Sequence, residues 1–185
     1  MEDRGKLADQ IWFTWVSRAK AEQRLIDKEK FVQFINIYYS LIAIICSIIS
    51  YHYDDSKMGL FTIIITISLM VSILYLNGQK YLEQACDYRA NYTQLHLLEM
   101  KVKDESYELM PLKEEYSKLL NVASNHIQYD YLKTLSEASE DYKNKYGWKH
   151  KKVKLCWERI WRLAVKTAVI FIPVLILAAC EAWAK

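Results

Sequence analysis

"SYHYDDSKMG", residues 50–59, is a hydrophilic break between two apolar runs, "FVQFINIYYSLIAIICSII" (31–49) and "LFTIIITISLMVSILYL" (60–76). Residues 31–51 contain no charged side chain, and neither do residues 58–79. A helix rises about 1.5 Å per residue, so about 20 apolar residues cross a hydrocarbon core of about 30 Å. Both windows meet that length. A soluble helix keeps a polar face, whereas residues 58–76 offer only Thr and Ser for one, which argues against the alternative of a soluble bundle with apolar core helices. A third uncharged run, 167–180, follows Lys166. It spans if it starts near Ile160 or Leu163, with Arg162 and Lys166 snorkelling to the interface.

The division read from these runs is a cytoplasmic amphipathic helix over 1–30, a first span over 31–51 and an outer turn over 52–57. A second span follows over 58–78, then a cytoplasmic helical hairpin with a basic membrane-proximal segment over 79–159, and a third span over 160–183. The expected fold is an all-α integral membrane protein with three transmembrane helices, two of them in a tight hairpin. Mean hydropathy near zero hides this, because charge is concentrated between the runs. About 30 charged and polar residues precede the first run, which does not suit a signal peptide.

Orientation follows from Lys and Arg in the short flanks. Arg4, Lys6, Arg18, Lys20, Arg24, Lys28 and Lys30 precede the first span, and the turn holds Lys57 beside Asp54 and Asp55. Lys80 and Arg89 follow the second span, and the strongly basic "KNKYGWKHKKVKLCWERIWRLAVK" enters the third with one acid, Glu158. The N-terminus is therefore expected in the cytoplasm and the C-terminal "EAWAK" outside. Trp148, Trp157 and Trp161 at the entry to the third span, and Trp183 at its exit, suit interfacial rings. The stretch from about 143 to 162 suits an anionic leaflet, each basic residue contributing about 1 kcal/mol.

Leu7, Ile11, Trp15, Ala19 and Ile26 recur at helical spacing, predicting a helix that runs directly into the first span. After the second span the helix is expected to continue, with Ala85, Tyr88, Tyr92, Leu95 and Val102 on a three-four repeat. Pro111 opens a further helix, with Leu112, Tyr116, Leu119, Ala123 and Ile127 on one stripe running on towards Leu135 and Ala138, and Gly147 ends the soluble part.

No metal, phosphate-loop or nucleophile motif is present, and Cys46, Cys86, Cys156 and Cys180 have no metal or disulfide spacing. The expectation is a protein without catalytic residues, metal or cofactor. In "SNHIQYDY" (124–131), His126 and Asp130 are four apart, so on a helix they share a face. Two readings stand: a local staple or buried hydrogen bond, and a pH- or ligand-sensitive pair, since a carboxylate raises a neighbouring histidine's pKa.

The spans carry small and hydroxyl residues in rows: Asn36, Ser40, Ala43, Ser47 and Ser50 in the first, and Thr62, Thr66 and Asn77, with Ser68 and Ser72 apart, in the second. Ala164, Ala168, Ala178 and Ala182 align in the third. Such rows let helices pack closely. They also suit a wet path through an oligomer, with Asn36, Ser40, Ser47, Thr62 and Thr66 as candidate pore lining.

The leading "WVSRAKAEQR", the two close spans, "YLEQACDYRANYTQLHLLEMKV" and the later "YSKLLNVASNHIQYDY" together resemble the SLATT domain, over roughly residues 8–142. The matched positions are Trp15, Arg18, Glu22, Tyr88, Tyr92, Tyr116, Asn125, His126, Asp130 and Tyr131. The resemblance implies a two-span effector of bacterial conflict systems, associated with nucleotide synthases and sensor domains. Such a protein would sit in the inner membrane and serve antiphage defence or abortive infection, oligomerising to form a pore or otherwise damage the membrane. Its implied partners are copies of itself, the lipid bilayer, and a nucleotide second messenger, a neighbouring sensor or synthase, or a reverse transcriptase. The third span departs from the two-span pattern.

Candidate contacts for an anionic ligand or partner are Arg18, Arg24, Lys80 and Arg89, with His126 and Asp130. These cations also serve as topology signals and solvated charges. The competing function is a membrane anchor or regulatory subunit that recruits a soluble enzyme through residues 79–147.

Overall fold

The computed structural model describes residues 2–53, 56–122 and 126–183. Asp54 and Asp55 of the turn, Ala123, Ser124 and Asn125, and the side chains of Cys180, Ala182 and Trp183 lie outside the described residues. The described chain is all helical: α1 (Glu2–Tyr53), α2 (Ser56–Gly78), α3 (Tyr81–Lys103), α4 (Leu109–Val122), α5 (Gln128–Glu137), α6 (Glu140–Lys145) and α7 (Trp148–Trp183). It divides into two compact units. One comprises Met1–Asp27 and Tyr81–Arg159, the other Lys28–Lys80 and Ile160–Lys185.

In the first unit the N-terminal part of α1 is covered on two sides. Leu7 and Ile11 pack with Leu95, Leu98 and Val102 of α3 and Leu112 and Leu119 of α4. Phe13 points elsewhere, into Leu135, Ala138 and the rings of Tyr131, Tyr142 and Tyr146. Two buried faces explain where the expected stripe fails. Beyond Trp15 the buried positions are Ser17, Arg18, Ala21, Glu22 and Leu25, while Ala19 and Ile26 are half-buried. On α3 the stripe holds at Ala85, Tyr88, Leu95 and Val102, but Asn91, not Tyr92, is buried between them.

The helix expected to run on from α2 is interrupted. Lys80 takes a left-handed backbone (φ 49°), and the Gln79 and Lys80 amides fold back onto Leu76 and Asn77. The single helix expected from Pro111 to Ala138 is also divided. α5 starts anew because the Asp130 carboxylate accepts the Ile127 amide (3.3 Å), as an N3 acid does at a capping box. Ala138 and Ser139 are extended, which separates α5 from α6. Gly147, left-handed at φ 64°, lies between α6 and α7.

The second unit is apolar outside. Two helices, α1 and α2, are long and apolar enough to cross a membrane. They form a hairpin whose seam is Ala43 and Cys46 against Phe61, Ile65 and Leu69. Gly59 lets the helices meet near the turn, since a Cβ there would stand 3.1 Å from the Ser50 hydroxyl. Ile37, Ile44 and Ile48 of α1 and Ile63, Ile67 and Leu74 of α2 point outward, each more than half exposed. So broad an apolar exterior needs lipid, not water, around it.

α7 joins the same unit from Ile160 onward. Its interior Pro173 is fully buried, and the Tyr39 hydroxyl donates to the Val169 carbonyl (2.7 Å). The expected alanine row is not the packed face: Ala164 and Ala168 are exposed, whereas Val169 and Pro173 face the hairpin side.

Candidate functional site

A polar seam runs through the first unit where a hydrophobic core is expected. Arg18 is fully buried. Its Nη1 donates to Asn91 Oδ1 and to the Leu119 carbonyl (3.0 Å), and its Nη2 to the Leu120 carbonyl (3.0 Å). Asn91 Nδ2 donates to the Leu119 carbonyl as well (2.9 Å). These carbonyls belong to the last turn of α4, which has no helical donors left and carries the negative end of the helix dipole. The guanidinium therefore closes α4. Burial pushes the Arg18 pKa down, opposed by Tyr88 and Tyr116, but an arginine remains charged.

Around it, charges are matched in pairs. Arg24 Nε donates to both oxygens of the fully buried Asp130 (2.9 and 3.2 Å). Arg89 Nε donates to the buried Glu22 (2.7 Å). Trp15 Nε1 donates to Glu99 (2.6 Å), which Lys103 also pairs. Ser17 donates to Thr134 (3.1 Å), and Thr134 to the Asp130 carbonyl (3.0 Å). Tyr142 donates to Asp9; burial first, then that carboxylate, pushes its pKa up to about 12.

The candidate contacts Arg18, Arg24 and Asp130 are thus held between helices rather than displayed, whereas Arg89 pairs with Glu22 yet stays exposed. Lys80 is exposed in its turn and also has partners of its own. His126 corrects the helical pair drawn from its spacing. It precedes α5, so it shares no helix face with Asp130, and the carboxylate is already held by Arg24 and the Ile127 amide. Burial lowers the His126 pKa, Asp130 raises it and Arg18 lowers it, with a net downward shift. Among the described residues, its buried Nδ1 has no hydrogen-bond partner. Among the described residues no group of three His, Cys, Asp or Glu could hold a metal.

In the membrane unit the candidate pore residues separate. Ser40 and Ser47 are exposed beside the hairpin seam, and so is Thr66. Ser40 and Thr66 satisfy their hydroxyls on the Asn36 and Thr62 carbonyls of their own helices (2.7 and 2.8 Å). Thr62 is half-buried beside the seam. Asn36, half-buried, instead lines an open cleft of about 260 Å³, with Phe31 and Tyr39 of α1, the exposed Ser68 and Ser72 and Leu76 of α2, and Val169 of α7.

Sequence reasoning missed Asn91, Glu99 and Thr134. The available signal was polar residues falling on otherwise apolar three-four stripes, as Asn91 does between Tyr88 and Leu95. Residues 2–179 match a family model described as SMODS and SLOG-associating 2TM effector domain family 5. Neither a curated protein nor a solved structure matches the chain.

Proposed function

The chain belongs to the SMODS and SLOG-associating 2TM effector domain family and is a membrane effector, from which we propose that it serves antiphage defence by opening the bacterial inner membrane as an oligomer. The observation that supports this reading is the outward position of Ser40, Ser47 and Thr66. Hydroxyl residues on the outer face of a spanning hairpin gain most by meeting other helices, where small and polar groups pack closely. Copies joined along this edge would bring a row of hydroxyls to a shared axis, polar enough to hold water. α7 acts as a third span, held by Tyr39, with the N-terminus inside and the C-terminus outside. The protein works without catalysis.

The first unit, cytoplasmic in this reading, acts as the sensor. A nucleotide messenger, a sensor or synthase, or a reverse transcriptase would bias the assembly only through a differential affinity for its closed and open states. The test is membrane potential in bacteria after induction of the chain, alone and with its genomic neighbours. Depolarisation that weakens in Ser40→Leu/Ser47→Leu supports the pore. Normal potential under every trigger, phage infection included, overturns it.

A second reading, an anchor for a soluble partner, is favoured by a groove of about 400 Å³ between α3 and α4. Leu97, Met100 and Tyr107 stand about half exposed along it. An anchor would leave the potential unchanged and co-purify with the product of a neighbouring gene.

A further inference from the structure

The cavity between α1, α2 and α7 is unusual in its polar groups. Among the described residues, neither the Asn36 side chain nor the Ser68 and Ser72 hydroxyls find a hydrogen-bond partner; Asn36 is half-buried and the two serines are exposed along the same open cleft. The contrast with Ser40 and Thr66 matters, because those hydroxyls bond back to their own helices. Inside a bilayer there is no bulk water to satisfy such groups, so each one left open is unfavourable. Three donors converging on one cavity call for a ligand with acceptors.

The rest of the wall says which ligand. Phe31 and Leu76, at the ends of the two uncharged runs, mark the level of the headgroups, and Asn36 lies about 7 Å deeper along α1. The Lys166 ammonium stands 5.0 Å from the Phe31 ring centroid, and no carboxylate pairs it among the described residues. Val32, Ile35 and Leu69 add apolar lining among these polar groups. The site offers a cation near its mouth, with hydrogen-bond donors and hydrocarbon side by side beneath it, groups that suit the phosphate, ester carbonyls and acyl chain of a lipid.

We propose that this cavity binds one anionic phospholipid, its phosphate at Lys166, its ester carbonyls on Asn36, Ser68 and Ser72, and one acyl chain along the α1–α2 wall. The site depends on the membrane placement of the hairpin and not on pore formation, so either can fail without the other. Lipid occupancy would fill the space between the hairpin and α7 and fix the spacing of the three helices.

Native mass spectrometry of the full chain in detergent tests this, with phosphatidylglycerol or phosphatidylcholine added at equal concentration. The expected result is one retained phosphatidylglycerol, favoured over phosphatidylcholine by about fivefold, a preference that Lys166→Gln removes. Ser72→Leu, which fills the cavity with an apolar side chain suited to the bilayer, should abolish retention of both lipids. Gel filtration and helical circular dichroism establish that each variant is folded. Retention of several lipids with no headgroup preference overturns the proposal, because it describes a belt and not a site. So does loss in Lys166→Gln with none in Ser72→Leu, which places the lipid on the surface. Loss in Ser72→Leu with an unaltered preference in Lys166→Gln overturns the phosphate contact.

Discussion

The Tyr39 hydroxyl donates across 2.7 Å to the carbonyl of Val169, the carbonyl that Pro173, four residues on, leaves without its helical donor. In lipid a freed carbonyl must find a donor from a neighbouring helix, and Tyr39 supplies it. Tyr39→Phe should therefore destabilise the membrane unit by about 1 kcal/mol. In a Pro173→Ala background, where the helix supplies its own amide, the same change should do little. Thermal unfolding of the four proteins in detergent gives the coupling, and additive losses would refute it.

Arg24 and Asp130 make a buried pair whose acid has no access to solvent. Removing the cation leaves that carboxylate with the Ile127 amide alone among its charge-stabilising donors described above. Arg24→Ala is expected to destabilise the first unit by about 3 kcal/mol, and Asp130→Asn in the same chain should recover part of it. Denaturant unfolding measures both. A loss under about 1 kcal/mol, the range of exposed pairs, would show that the seam is open to water.

Arg18 closes the end of α4 with two nitrogens on two carbonyls, a geometry that lysine cannot copy. Arg18→Lys should weaken the unit by about 2 kcal/mol, through acceptors left buried and unmet. Amide exchange should rise most in the last turn of α4. Uniform exchange across the unit would argue that Arg18 is not specific to that helix end.

His126 sets a pH response. Its folded pKa lies below the ordinary value of 6.5, chiefly through burial, with Asp130 and Arg18 acting in opposite directions. The unfolded chain then binds more protons in the window just below pH 6.5, so stability is complete above that value and falls as pH descends through the folded pKa. His126→Gln should flatten the stability profile of the first unit just below pH 6.5. An unchanged slope would assign it to other groups.

The sequence made the two hairpin helices legible because an uncharged run of sufficient length has few alternatives, and Ala43 of the small-residue row does lie on their seam, whereas Phe61, Ile65 and Leu69 stood out from no neighbour in a uniformly apolar run. The first unit was harder to read. Its N-terminal helix is covered on two sides, so Leu7 and Ile11 follow one stripe while Phe13 follows another. Arg18 and Arg24 read as surface cations because partners more than 70 residues away leave no local mark. The division between α4 and α5 depends on Asp130 capping a new helix, an effect of tertiary position as much as of local pattern. Asn36, Ser40 and Ser47 share a face by spacing, yet only the positions of α2 and α7 send Asn36 inward and the serines outward.

The first unit is assembled from two separate lengths of chain, with the whole hairpin encoded between them. Arg24 meets Asp130 only after 106 further positions have been translated. At typical ribosome speeds that interval is on the order of ten seconds. Leu7, Ile11 and Arg18 find their first partners when α3 is made, and Arg24 waits longest, for Asp130, while the hairpin behind them is already entering the bilayer. Biogenesis thus imposes an order: the α1–α2 hairpin can form while the bundle that clasps α1 is still being made, and α7 joins it last. The bundle is complete only once the ribosome has delivered α5.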